Sequence, residues 1–152
     1  MSKVVIRQAT VADAESISTV VVRALRETNA ADYAPEIIER IVATFTPPIV
    51  AARMADGLML VATIGDEIIG AASLHADTVR GMYVRPDCQG RGAGAALMHE
   101  IEKPAKAQGL ATIAVPSSIT AEEFYRKRGF VSVRDEFYGA ERTVIMTKTL
   151  GF

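Results

Sequence analysis

The sequence predicts an α/β (α+β) domain with a mixed, mostly antiparallel sheet of about six to seven strands flanked by about four helices. Three observations carry this. Strand-like and helix-like hydrophobic periods alternate along the chain without internal repeats. Three consecutive strand signals between positions 57 and 84 are joined by tight turns, which makes an antiparallel meander. A single glycine-rich turn then carries the last of them into a helix.

Residues 3–7 read as a first strand, and Thr10 followed by Asp13 as a helix start with an acid in the first turn. Ile17, Val20, Val21, Ala24 and Leu25 make one apolar stripe on that helix. A second helix opens at Pro35 and repeats the pattern with Ile37, Ile38, Ile41, Val42 and Phe45, until Pro47-Pro48 breaks it. Residues 57–64 read as a strand closed by Gly65-Asp66, residues 68–75 return antiparallel, and residues 78–84 complete the meander. Residues 95–108 read as a helix with Leu97, Ile101 and Ala105 on one face and Gly109 as its stop. Pro104 removes a backbone bond to Glu100, which predicts a kink or an early end in the last turn. A buried strand at 111–116 and a short helix holding Ala121, Phe124 and Tyr125, capped by Gly129, come next. A hairpin of residues 131–137 and 143–150 around Tyr138-Gly139-Ala140 ends the sheet.

Composition narrows the class of protein. The 152 residues are 49% hydrophobic with no Pro/Gly/Ser-rich divider, which fits a single domain over residues 1–152. Seventeen basic against eighteen acidic residues leave a net charge of −1, so neither nucleic acid nor an anionic membrane is an expected partner. A lone cysteine excludes an internal disulfide framework, and no apolar leader or span of membrane length occurs, so a cytoplasmic setting is expected. Two separated histidines and one cysteine make no metal site.

The chemistry concentrates in Gln89-Gly90-Arg91-Gly92-Ala93-Gly94-Ala95, where a strand enters a helix through alternating glycines. Unshielded amides at a helix start, with their partial positive charge, suit a pyrophosphate. A P-loop is excluded because no Lys-Ser or Lys-Thr pair follows the glycines. A dinucleotide fingerprint can be laid on Gly90, Gly92 and Ala95, but the acid expected about twenty residues later is missing. Ala114-Val115-Pro116 stands there, and the next acid is Glu122.

Tyr83-Val84-Arg85-Pro86 followed by Gln89-Gly90-Arg91-Gly92-Ala93-Gly94 resembles the Gln/Arg-x-x-Gly-x-Gly/Ala signature of the Gcn5-related N-acetyltransferase (GNAT) superfamily. Ala121 with Phe124-Tyr125-Arg126-Lys127-Arg128-Gly129-Phe130 is similar to its later Ala-x-x-Phe-Tyr-x-x-x-Gly-Phe block. The N-terminal Ile6-Arg7-Gln8-Ala9-Thr10 with Asp13, and Met146-x-Lys148-x-Leu150, resemble the ends of such domains, so the likeness covers nearly the whole chain.

The resemblance implies the acyl-CoA N-acyltransferase fold and direct transfer of an acetyl group from acetyl-CoA to an amine of a small molecule or peptide, without a covalent enzyme intermediate. It also allows a homodimer. Backbone groups of Met82, Tyr83 and Val84 would meet the pantetheine arm, residues 89–95 the pyrophosphate, and Phe124 the same cofactor. Arg91 either adds a phosphate contact or points into solvent. Tyr125 would protonate the departing thiolate, a role open to a phenol with pKa about 10. Ser118 either faces the cofactor or, like Thr120, caps the short helix.

A primary ammonium must lose a proton before attack, yet residues 78–84 hold no carboxylate. His75 is a candidate base beside two alternatives, a strand-end histidine and deprotonation through ordered water, while Asp77 reads as a turn residue. Cys88 reads as a spectator, exposed enough to oxidise. The loop from Asn29 to Tyr33 and the Phe137-Tyr138 hairpin would line the acceptor cleft, with Asp32, Asp135 and Glu136 available to an ammonium. An acyl-CoA-binding regulatory module without turnover, and a protein N-terminal or lysine acetyltransferase, are the alternatives.

Overall fold

The computed structural model describes residues 3–151; Phe152 lies outside them. Seven strands form one sheet in the order β1-β2-β3-β4-β5-β7-β6. They are β1 (Val4–Gln8), β2 (Leu58–Ile64), β3 (Glu67–His75), β4 (Thr78–Val84), β5 (Thr112–Ser118), β6 (Val131–Tyr138) and β7 (Glu141–Thr149). Every neighbouring pair is antiparallel except β4 and β5, because the chain crosses over between them through a helix. The helices are α1 (Ala14–Glu27), α2 (Pro35–Val42), α3 (Pro47–Asp56), α4 (Ala93–Ala107) and α5 (Glu122–Lys127).

Each face of the sheet buries its own core. On one face Leu97, Met98 and Ile101 of α4 and Tyr125 of α5 pack on Leu74, Val79, Ile113 and Met146. On the other, Ile17, Val21 and Leu25 of α1 pack with Ile37 and Ile38 of α2 and Val50 of α3 against Met59, Val61 and Ala71. These are the apolar stripes legible in the sequence. The expected helix start holds as well: a 3-10 turn over Val11–Asp13 precedes α1, and the Thr10 amide donates to Asp13 Oδ2 at 2.8 Å.

Three local expectations need correction. Pro47-Pro48 does interrupt helical structure, but it also opens α3, since proline at the first helical positions lacks only an amide that would be unpaired there. Phe45, expected on α2, therefore lies in the link between α2 and α3. Pro104 does not end α4 early; the helix runs on to Ala107 and stops at Gly109, whose φ is +82°. No helix among the described residues is long and apolar enough to cross a membrane.

Candidate active site: the gap between β4 and β5

A bulge shapes the centre of the sheet. Ser73 pairs with Gly81 and Leu74 with Val79, so Arg80 is an extra residue in β4 and bends that strand. Thr78 pairs with Ala114, and beyond that single register point β4 and β5 share no ladder. The facing edges of the two strands diverge into a cavity of about 420 Å³. Its walls are β4 from Val79 to Val84, β5 from Val115 to Ser118, the glycine turn, and α5.

Where β4 ends, the glycine turn closes one end of the gap. Gly90 and Gly92 hold φ of +82° and +81°, which an L side chain would strain, and Gly92 is the N-cap of α4. The amides of residues 91–95 find no backbone acceptor among the described residues; the first α4 bond is Ala96 to the Gly92 carbonyl at 3.0 Å. Unpaired donors at a helix start form an anion-binding surface. Gly94 is required for a second reason. A Cβ there would stand 3.0 Å from Phe124 Cε1 and 3.7 Å from Met82 Sδ.

The aromatic block on α5 forms the facing wall. Tyr125 is 3% exposed and sits edge-on between Phe124 (centroids 5.3 Å apart) and Phe130 (5.4 Å). Its phenol has no hydrogen-bond partner among the described residues, and burial pushes its pKa above the ordinary tyrosine value. Across the cavity Tyr83 meets Phe45 edge-on at 5.5 Å. Burial pushes its phenol up to about 12, against a smaller opposing effect of the Arg53 charge. Both phenols therefore stay protonated at neutral pH.

Most predicted positions converge here: Met82, Tyr83, Val84, Gln89, Gly90, Gly92, Ala93, Gly94, Ala95, Ser118, Phe124 and Tyr125 all line the cavity. Ser118 ends β5 and its hydroxyl accepts the Ala121 amide at 3.1 Å, but Ala121 is itself the N-cap of α5, so neither Ser118 nor Thr120 holds the capping position. Two positions are not brought in. Arg91 is exposed and outside the lining. His75 is exposed at the end of β3, with Nδ1 2.7 Å from the Asp56 carbonyl oxygen, and does not line the cavity. Asp77 is the expected turn residue, accepting from the Thr78 hydroxyl at 3.0 Å.

The acceptor-side expectations are revised. Tyr33 is a buried strut: its hydroxyl donates to the Arg142 carbonyl and accepts the Ile119 amide, both at 2.8 Å. Phe137 and Tyr138 are exposed and outside the cavity, whereas Asn29 lines it. Asp32, Asp135 and Glu136 are engaged by Thr120, Arg142 and Arg134. Cys88 is 4% exposed, not open to solvent, because its sulfur turns inward and accepts from Arg85 at 3.3 Å.

Arg128 is the residue that sequence reading missed. It lines the cavity with its guanidinium 4.9 Å from the Phe124 ring centroid, and its Nε is buried without a partner among the described residues. Arg128 is the C-cap of α5, four residues after Phe124, so the end of this short helix brings the two side chains together. No group of three or more metal-ligating side chains occurs among the described residues.

A splayed parallel pair, a glycine helix start and an aromatic wall together suit a long ligand with an anionic end. A family model described as acetyltransferase (GNAT) domain matches residues 29–150. The chain belongs to the GNAT acetyltransferase family. This GNAT domain is accordingly an acyltransferase with the mixed α/β fold of that family. It is 32% identical to a GCN5-related N-acetyltransferase from Rhodopseudomonas palustris, over 99% of this chain and 98% of that one, with a TM-score of 0.92. The PaiA N-acetyltransferase from Thermoplasma acidophilum, in complex with coenzyme A, shares the fold at 23% identity. That likeness covers 97% of this chain and 99% of PaiA with a TM-score of 0.83. YncA from Salmonella typhimurium, with its cofactor acetyl-CoA, does so at 21% identity over 97% and 94%, TM-score 0.68. No curated protein sequence matches the chain.

Proposed function

We propose that this GNAT domain moves an acetyl group from acetyl-CoA directly to a primary amine of a small molecule or peptide, with Tyr125 as the general acid. The observation that carries this reading is a buried tyrosine, without a hydrogen-bond partner among the described residues, in the wall of the cavity between β4 and β5. Coenzyme A fits the features of the cavity: open amides at residues 91–95, glycines where Cβ atoms would strain or collide, and a strand edge with no ladder partner. Residues 89–95 would hold the pyrophosphate, and Met82, Tyr83 and Val84 the pantetheine arm.

Acetyl-CoA supplies the activated thioester. The amine nitrogen bonds to the acetyl carbon as the carbon–sulfur bond breaks, the amine proton passes to water, the sulfur takes the proton of the Tyr125 phenol, and water returns a proton to the phenolate. Burial keeps that proton in place until a thiolate forms beside it. Binding both reactants in one gap supplies the orientation.

A second reading has its own observation. No carboxylate or imidazole lines the cavity, so a coenzyme A-binding module without turnover would also fit these walls. Tyr125→Phe separates the two. The variant should bind coenzyme A like the wild type in calorimetry but lose about 10²-fold or more in kcat, the usual scale of a positioned acid. Equal rates would remove Tyr125 from the mechanism, and a wild type that binds coenzyme A yet acetylates no amine or peptide would favour the binding module.

A further inference from the structure

The charges around the cavity do not balance, and the imbalance lies at the end away from the pyrophosphate cradle. The cavity wall includes Arg80 and Arg128 but no Asp or Glu. Arg128 stands against Phe124, which packs on Gly94 at the start of α4, so a cofactor phosphate accounts for its charge. Arg80 is the bulged residue of β4, four positions before Val84, and roughly 13 Å of strand separates it from the turn. Phosphates at the turn do not neutralise it.

A second guanidinium adds to it. Gly81 and Tyr83 line both the main cavity and a side recess of about 20 Å³ that also holds Phe45, Ser73 and Arg53. That space takes about one water-sized group. Arg53 stacks over Phe45 at 4.4 Å and donates one Nη2 bond to the Thr44 carbonyl at 2.9 Å. Neither Arg53 nor Arg80 has a carboxylate partner among the described residues. Glu141, the carboxylate whose charge reaches Tyr83, is held by Arg40 at 2.8 Å. Burial lowers the Arg53 pKa; Tyr83 opposes this, and the like charge of Arg80 adds a smaller lowering. Arg80 is exposed at the cavity wall and Arg53 half-buried in the recess, with the half-buried Tyr83 lining both spaces. An anion entering there meets both charges, and a carboxylate is the group their planar forks match.

We infer that the amine acceptor carries its own carboxylate, bound by Arg80 with Arg53 behind it, so that the substrate class is an amino acid whose apolar side chain lies in the main cavity beside Tyr83. This rests on the acetyl-CoA reading above and goes beyond it in naming the acceptor. A polyamine or a simple alkylamine would bring further positive charge to a wall that already has an excess.

The test uses the intact chain and a panel of α-amino acids, each paired with the amine left when its carboxylate is lost, such as phenylalanine with phenethylamine. Wild type should favour the acids over their paired amines by about tenfold or more in kcat/KM. Arg80→Met should bring that ratio close to one, and Arg80→Lys should restore part of it. Calorimetry should show the N-acetylated amino acid binding at least about tenfold more weakly to Arg80→Met, independently of turnover. Preference for the decarboxylated amines or spermidine, no turnover of any amino acid, or an equal change in both members of each pair would overturn the inference. So would a carboxylate preference that moves to the donor, with succinyl-CoA favoured over acetyl-CoA and the acceptor pairs equal. Coenzyme A affinity is measured in parallel: binding intact with no acid preference defeats this inference alone, and absent binding defeats the acetyl-CoA reading beneath it.

Discussion

The guanidinium of Arg128 lies 4.9 Å from the centre of the Phe124 ring, and its buried Nε has no partner among the described residues. A buried donor left without an acceptor costs about 1–3 kcal/mol, which an acceptor such as a bound phosphate oxygen recovers. Arg128→Leu should therefore leave thermal stability unchanged or slightly raised. Coenzyme A affinity should fall about tenfold, with a shallower dependence on salt because one charge is gone. Arg128→Lys should not restore binding fully, since an ammonium lacks the flat face that stacks on Phe124. Calorimetric titrations at two salt concentrations check all three.

Gly94 tests the same wall from the helix side. An alanine Cβ there would stand 3.0 Å from Phe124 Cε1, so the ring must shift by a few tenths of an ångström. Alanine is also a better helix former than glycine, by up to about 1 kcal/mol. Gly94→Ala should hold or gain stability while coenzyme A binding weakens by about threefold or more, a split that a folding defect cannot produce. Thermal melts beside binding isotherms read it out.

Asp13 anchors the start of α1. Its carboxylate accepts Arg7 Nη1 at 2.8 Å, Arg7 Nη2 at 3.0 Å and the Thr10 amide at 2.8 Å. The Arg7 hydrogen bond is the largest cause that brings its pKa down to about 2. Because the folded value is depressed, this stabilisation is fully present above the unfolded value of about 4 and is lost as pH falls through about 2. With Arg7 partly in solvent, Asp13→Asn should cost about 1–2 kcal/mol at neutral pH, and its difference from wild type should shrink as pH falls through that window. Urea denaturation at several pH values measures both.

Where local chemistry decides a feature, it could be read directly. The stripes of α1 and α2, the meander of β2 to β4 and the glycine turn depend on residue spacing and on backbone shapes that few side chains tolerate. α3 escaped because proline reads as a breaker unless it falls at a helix's first positions, where it costs nothing. Tyr33 escaped because a phenol's partner is set by the fold: the Ile119 amide and Arg142 carbonyl it joins lie 86 and 109 positions away.

By itself the sequence determined the family, the order of elements and the position of the anion-binding turn, since periodicity, glycine placement and the Phe124-Tyr125 spacing are local quantities. Only the tertiary structure decided which side chains share a wall. The extra residue Arg80 bends β4 so that its ladder to β5 stops after Thr78 and Ala114, and that opening lets Tyr125, Ser118 and Arg128 face the glycine turn. It also left His75 exposed at the β3–β4 hairpin and Arg91 outside the cavity, and it paired Glu141 with Arg40 and Asp135 with Arg142 while leaving Arg53 and Arg80 without a carboxylate partner among the described residues. Such charge balance depends on distances between elements far apart in the chain, which no local pattern encodes.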